Sequence, residues 1–283
     1  MKIKFRKIPA LILAMLLCLT GCMGQYPRQP KDFYDCVTAI NAGQAQSVLI
    51  ESDNTFALID AGQTDSGTNV VSYLQDRCVR DIELLVLTHF HSDHTSETTK
   101  ILKNFNVKKI LIPNLSEENT PTSKFFERLI EGAENGDYEI YTAEKGKSFT
   151  IGNGTLTVLA DTINDKGIND TSTALMYTQE DFTFVDFGDL ETDGQEAIID
   201  SLPENVTLAM APHHGSRDSN SEMLYEKIHP LRVFISAGKD NKYGHPHSET
   251  VSVLEKLQIP YYITRQDGSL TWYISDGTLS LED

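Results

Sequence analysis

The sequence predicts an α+β domain, and three observations predict it. The first is size: 283 residues, 40% of them hydrophobic, suit one large core better than two small ones. The second is periodicity. The first half alternates apolar runs with helical spacing in the order β-α-β-α-β, whereas the second half opens with antiparallel strand-and-turn units. The third is the apolar run Leu84-Leu85-Val86-Leu87, followed by Thr88-His89-Phe90-His91-Ser92-Asp93-His94. It delivers three histidines and an aspartate at the C-terminal end of a buried strand, where open α/β sheets bind their ligands. No internal repeat or low-complexity tract interrupts the pattern.

Taken in order, residues 1–21 stand outside this domain. Lys2, Lys4, Arg6 and Lys7 precede an apolar run over 10–19 that ends in Leu19-Thr20-Gly21-Cys22, the order of a secretory signal. The run is too short for a comfortable membrane span. Leu-x-Gly-Cys resembles the bacterial lipoprotein cleavage box. That resemblance implies removal of 1–21, lipidation of Cys22, and a domain outside the cytoplasmic membrane. The lipid bilayer is then a partner only through the N-terminal lipid anchor, with no transmembrane helix in the mature protein. Losing four of 24 basic residues and none of 41 acidic ones takes the formal charge from −17 to 20 − 41 = −21. Such acidity weighs against a long polyanion held on a basic face, although metal ions would reverse the field locally. Residues 22–45, with Pro27 and Pro30, read as a tether and edge segment, and 46–283 as the folded domain. Cys36 and Cys78 remain either one disulfide or two isolated thiols.

Within the domain, 47–51 and 55–60 read as a hairpin turned by Asp53-Asn54. A helix over 69–78 crosses back to a strand at 84–88, and a second over 99–105 leads to a strand at 109–112 stopped by Pro113. Residues 122–132 read as a helix capped by Thr122 or Ser123, with Phe125 and Phe126 assigned to the core. Strands follow at 139–142, 148–151, 155–159, 172–178, 182–187, 207–211 and 232–237. A helix over 249–257 and a strand hairpin turned by Asp267-Gly268, around Tyr262 and Trp272, close the chain.

The spacing His-x-His-x-Asp-His carries the chemistry. Residues two apart point the same way, so His89 and His91 close on one ion while Asp93 and His94 reach a second position. Five of the eight histidines lie in this run and in the pair His213-His214, which makes solvated loop histidines a poor account of them.

This motif, residue for residue, resembles the signature of the metallo-β-lactamase superfamily. Asp60-Ala61-Gly62, Phe187-Gly188-Asp189-Leu190-Glu191, Pro212-His213-His214-Gly215-Ser216 and Tyr243-Gly244-His245-Pro246 further resemble the soluble domain of the ComEC type of competence protein. The resemblance spans about residues 45–275. It implies a four-layer αββα sandwich with the site at one edge, where both halves meet. It also implies one or two divalent metal ions, zinc or manganese, held by His89, His91, Asp93, His94, a bridging Asp189 and His213. His214 is the alternative to His213, or else orients substrate. Asp60 supports the metal loop by hydrogen bonding, Ser216, Arg217 and Tyr243 meet substrate, and His245 donates a proton to a leaving oxygen.

Two departures stand out. Thr95-Ser96 replaces the usual two glycines and is expected to narrow the pocket floor. No histidine occurs between residues 95 and 212, where the superfamily carries a third ligand, so Asp161 or Asp170 is expected to replace it. An oxygen ligand there would favour manganese. No role is predicted for Asp186.

A divalent ion yields a nucleophilic water at neutral pH and stabilises charge on a carbonyl or phosphoryl oxygen. The expected activity is therefore a metallo-hydrolase acting through a metal-activated water, oriented by Asp93 or Asp189. The first substrate reading is a phosphodiester, in nucleic acid or in a cell-surface polymer. The second is a lactone, β-lactam or other amide or ester. The third is a non-catalytic cell-surface binding lipoprotein.

Overall fold

A computed structural model of the chain describes residues 34–63, 69–117, 120–160, 167–275 and 278–281. Its first strand, β1 (Cys36–Ala39), pairs antiparallel with β2 (Val48–Ser52), and β2 with β3 (Thr55–Ile59). Asp53 and Asn54 make the β2–β3 turn with positive φ of 44° and 56°, the left-handed geometry that matches strand twist in a two-residue hairpin. There follow α1 (Val70–Asp76), β4 (Asp81–Ile82), β5 (Leu84–Val86), α2 (Ser92–Thr95), α3 (Thr98–Asn104), β6 (Asn106–Val107) and β7 (Lys109–Ile112). Asn69 caps α1 by accepting from the Ser72 amide, and Ser123 caps α4 (Lys124–Glu134) by accepting from the Phe126 amide. β8 (Glu139–Thr142) completes one edge of the first sheet.

The second half runs β9 (Ser148–Ile151), β10 (Gly154–Ala160), β11 (Ala174–Gln179), β12 (Phe182–Asp186), α5 (Thr192–Ile198), β13 (Leu208–Met210), α6 (Glu222–Ile228) and β14 (Val233–Ile235). α7 (Ser248–Lys256), β15 (Tyr261–Ile263), α8 (Thr264–Asp267), β16 (Leu270–Ser275) and β17 (Thr278–Leu281) end it. The first sheet has the order β17-β16-β1-β2-β3-β5-β7-β8, the second β15-β14-β13-β12-β11-β10-β9, and β4 and β6 pair separately.

Strand alternation gives each sheet two apolar faces. Val48, Ile50, Val86, Phe184, Phe234 and Trp272 belong to the core between the sheets. Leu49, Leu58, Leu74, Leu85, Ile101 and Leu129 pack the first sheet against α1, α3 and α4, and Val185, Ala209, Leu224, Ile228, Val233 and Leu254 pack the second against α6 and α7. This is the four-layer αββα sandwich. Phe125 and Phe126 pack against the helix-side core, with Phe90 between them, as expected.

Two local expectations are corrected. β1 is no edge: it lies between β16 and β2, fully enclosed, so Cys36–Ala39 and the loop that follows belong to the domain. Tyr262 and Trp272 do not share a hairpin. α8 turns the chain so that β15 joins β14 in the second sheet while β16 crosses to β1 in the first, and the two rings meet at 6.1 Å across the core. No disulfide joins Cys36, which is buried, to Cys78, which is exposed.

Candidate metal centre

β5 is enclosed by β3 and β7, both parallel to it, and its end carries Thr88 and His89 into the interior. The next turn is helical, with His91 at the N-cap of α2 and Asp93 and His94 inside it. Asp60, at the end of β3 with φ 59°, organises this turn from below. Its Oδ1 accepts from the Thr88 amide at 2.8 Å, and its Oδ2 accepts from Thr88 Oγ1 at 2.7 Å and lies 2.6 Å from His94 Nδ1. A carboxylate accepting from Nδ1–H leaves the His94 Nε2 lone pair facing the site.

From the other sheet, β12 ends at Asp186, and Gly188 brings the chain against Thr88. At Gly188, φ is 52° and a Cβ would stand 2.9 Å from Thr88, so backbone conformation and close approach both call for glycine. The Asp189 amide donates to Ser172 Oγ at 3.1 Å. Its Oδ1 lies 3.2 Å from His94 Nε2 and 3.8 Å from His214 Nε2; its Oδ2 lies 3.7 Å from His89 Nε2 and 3.5 Å from His213 Nε2. One carboxylate thus turns an oxygen to each of two histidine pairs.

His213 and His214 both take left-handed backbone, φ 50° and 55°, a costly conformation for residues with a Cβ that the surrounding contacts hold. The His213 amide donates to Gly188 O at 2.9 Å. His214 Nδ1 donates to Ser236 O at 2.9 Å, leaving Nε2 3.4 Å from Asp93 Oδ2.

Two groups of donors result, each within 4.8 Å: His89, His94 and Asp189, and Asp93, His94 and His214. His89 Nε2, His94 Nε2, His214 Nε2 and Asp189 Oδ1 are buried atoms without a hydrogen-bond partner, converging on one place. Buried polar atoms are ordinarily satisfied, so this convergence fits a divalent cation bound by imidazole and carboxylate.

The electrostatics agree. Burial opposes ionisation of Asp189, but His94, His214 and His89 outweigh it and hold its carboxyl well below the usual range. Asp93 is lowered likewise: burial is overcome by the neighbouring His214, 3.4 Å away, and by the charge of His94. Burial pushes His89 well below the ordinary histidine value, as it does His213 more mildly. Burial also opposes the His94 imidazolium, yet Asp189 and Asp60 raise that ring well above the ordinary value; His214 is raised by Asp189 and Asp93. Carboxylates that stabilise protons on imidazoles here would stabilise a cation in their place.

The donors open on a cleft of about 240 Å³ whose remaining walls are Gln44, His91, Ser92, His213, Tyr243 and His245. A larger cavity of about 460 Å³, lined by Leu102, Phe105, Phe125 and Tyr138 among others, contains none of these donors, so the chemistry belongs to the smaller cleft. His245 is buried, and burial together with His214, His213 and His247 lowers its pKa to about 4, leaving it neutral at pH 7.

Several expected residues sit elsewhere or act differently. His214, not His213, joins Asp93 and His94, because the left-handed turn aims the second ring inward; His213 faces Asp189 Oδ2 on the His89 side. His91 lines the cleft, its ring 4.8 Å from that of His89, but is outside both close groups. Asp170 is buried beside α5, where a Cβ on Gly194 would lie 3.3 Å from its Oδ1, and joins neither group; Asp161 and Cys22 lie outside the described residues. Arg217 is half exposed and paired with Glu249, and neither it nor Ser216 lines the cleft. Tyr243 does line it. Thr95 Oγ1 turns back to His91 O at 2.9 Å, so Thr95-Ser96 extends a helical turn and leaves the cleft floor alone. Sequence reasoning missed Gln44, on the cleft wall, and Gln46, which reaches both oxygens of buried Asp186 at 3.2 and 3.1 Å. Their only signal is two amides in the short β1–β2 connection.

An αββα sandwich with two histidine–carboxylate groups where its sheets meet defines a centre of the metal-dependent hydrolase kind. The chain matches the family described as Metallo-beta-lactamase superfamily over residues 40–222, and it belongs to that superfamily. Among curated relatives, "ComE operon protein 3" of Bacillus subtilis (strain 168) is 25% identical over 87% of this chain and 34% of its own length. "Competence protein ComA" of Neisseria gonorrhoeae is 26% identical over 93% and 36%. The chain therefore spans about a third of these relatives. Among solved structures, Igni18, a metallo hydrolase from Ignicoccus hospitalis, is similar with TM-score 0.58 at 15% identity, over 85% of this chain and 100% of that one. The metallo-beta-lactamase fold protein YhfI from Bacillus subtilis follows with 0.57 at 13%, over 84% and 99%. These two likenesses concern the fold.

Proposed function

We propose that the protein is a metal-dependent phosphodiesterase. The observation that carries the hydrolase part is the convergence of four unpartnered buried donor atoms on one point at the base of an open cleft. A divalent cation bound there supplies Lewis-acid stabilisation of charge on a reacting oxygen and lowers the pKa of water. Two imidazoles to one carboxylate in each group favour zinc. His94 Nε2 has one lone pair and would serve a single ion, held together with Asp93 and His214, while His89 and Asp189 would donate to a second; Asp60 keeps the His94 Nε2 lone pair available. Asp93 lines the cleft and is held ionised, which supports a role in orienting a water. The phosphodiester substrate is supported by the ComEC-like loops and by the names of the relatives, a competence protein of Neisseria gonorrhoeae, a ComE operon protein of Bacillus subtilis and a recombination protein of Haemophilus influenzae.

The test is a screen of metal-loaded protein against bis-p-nitrophenyl phosphate, single-stranded DNA, a choline phosphodiester, a lactone and a β-lactam. Turnover of a phosphodiester without β-lactam turnover is expected. Lactone or lactam turnover alone would replace the substrate class, and inactivity on all five at full metal loading would favour a binding lipoprotein.

We further propose that 1–21 is a cleaved signal and Cys22 a lipidated residue that holds the domain outside the cytoplasmic membrane. Among the described residues no helix is long and apolar enough to cross a membrane. Intact mass of the membrane-extracted protein decides: a mature chain that starts elsewhere, or lacks acyl mass, ends the idea.

A further inference from the structure

Gln44 stands in the β1–β2 connection, far in sequence from the histidines, yet it forms part of the cleft wall beside His245. The connection is pinned there from three sides. Ser236 Oγ donates to Ala45 O at 2.9 Å, the Asn41 amide donates to Ser269 Oγ at 2.9 Å, and Gly238 lies so close that a Cβ on it would stand 2.6 Å from the Gln44 nitrogen.

The amide of Gln44 can be oriented without ambiguity. The Gly238 main-chain N–H lies 3.1 Å from one end of it, and a main-chain N–H only donates, so that end is the oxygen, Oε1. The other end is then the NH₂, which also only donates, and it lies 3.2 Å from His245 Nδ1. Nδ1 must accept with its lone pair. An imidazole that accepts at Nδ1 is neutral and carries its proton on Nε2.

His245 is held as firmly as its partner. Its amide donates to Asn241 Oδ1 at 2.9 Å, and its carbonyl accepts from Asn241 Nδ2 at 2.7 Å and from Arg265 Nη1 at 3.0 Å. Its ring lies near-parallel to those of Tyr243, at 5.6 Å, and His214, at 6.1 Å. Among the described residues Nε2 makes no hydrogen bond, nor is it one of the buried orphan atoms, so it opens to the cleft that the ring lines.

We infer that Gln44 is a positioning residue that fixes His245 as the Nε2–H tautomer, a permanent hydrogen-bond donor to an anionic substrate oxygen in the cleft. Its use in catalysis rests on the hydrolase reading; the tautomer does not. The proton stays on His245, because transfer from a neutral ring would leave an imidazolate, so a leaving oxygen takes its proton from water. The sequence-based expectation of a proton-donating His245 is thereby replaced by electrostatic stabilisation from a preorganised donor.

The experiment uses the full chain, zinc-loaded and labelled with ¹⁵N-histidine, with His245 assigned by the signals lost in His245→Gln. Long-range ¹H–¹⁵N correlation near neutral pH should show Nδ1 unprotonated and Nε2 protonated in the wild type. Gln44→Glu, whose carboxylate must accept, should place a proton on Nδ1, and Gln44→Met should give a tautomer mixture. A wild-type Nδ1 that is protonated, or a signature unmoved in both variants, overturns the inference. Kinetics on bis-p-nitrophenyl phosphate test its use. Gln44→Met should lower kcat roughly 10-fold or more with KM within about twofold and zinc content unchanged, a smaller loss than the ~10² to 10³ of deleting a donor outright. An unchanged kcat with the tautomer mixed overturns the catalytic half. If the wild type itself is inactive on every ester, the hydrolase reading fails while the resonances still decide the tautomer.

Discussion

Replacing Asp60 with asparagine removes a charge that touches no substrate, and its effect on metal affinity follows from hydrogen-bond chemistry. In the native turn, Asp60 accepts three times: from the Thr88 amide, from Thr88 Oγ1 and from His94 Nδ1. An asparagine must keep its single oxygen on the Thr88 amide, which only donates. Its NH₂ then faces His94 Nδ1 at the 2.6 Å position and donates to it, which drives the His94 proton to Nε2. Nε2 is the His94 atom that faces Asp189 and the other donors, so the tautomer must be reversed before an ion binds through that ring. Losing such an outer partner costs roughly 10- to 100-fold in metal affinity, or about 1.4 to 2.7 kcal/mol. Competition with a chromophoric chelator measures it, and circular dichroism shows that the variant is folded. A folded Asp60→Asn protein whose zinc affinity is within threefold of wild type would refute the reasoning.

Other outcomes follow from the same structure. Burial, reinforced by the charge of Asp60, raises Asp186 to about 7, above the ordinary 3.8 that it regains on unfolding. The folded state therefore keeps a proton that the unfolded state loses, and this contribution is fully present below pH 3.8 and is lost as pH rises through 7. The ~3 pH units correspond to about 4 kcal/mol. Urea unfolding of chelated protein should show Asp186→Asn gaining on wild type between pH 4 and 8, and a pH-independent difference would count against it. Gly188→Ala should lose roughly 1 to 3 kcal/mol of stability, because its φ and the approach of Thr88 both resist a Cβ; an unchanged Tm would contradict this. Elemental analysis should find Asp189→Asn depleted of metal and Asp170→Ala loaded normally, since only the first faces the histidines.

The sequence by itself was enough for the β-α-β-α-β order of the first half, the hairpin at Asp53-Asn54, a cap at Thr122 or Ser123 and the cluster of His89, Asp93 and His94. Each of these depends on residues within a turn or a strand of one another, where periodicity and side-chain chemistry act directly. Tertiary structure alone decided the rest. His213 and His214 are adjacent and chemically identical, and only the left-handed backbone between Gly188 and Ser236 sends the second ring toward Asp93. Tyr262 and Trp272 are ten positions apart and read as one hairpin, yet they belong to different sheets because strand pairing is won by partners distant in the chain, β14 and β1. Gln44 has no local sign of importance. It reaches His245 across 201 residues because β1 is an interior strand, and that placement follows from how two sheets bury their apolar faces against each other, which no window of sequence contains.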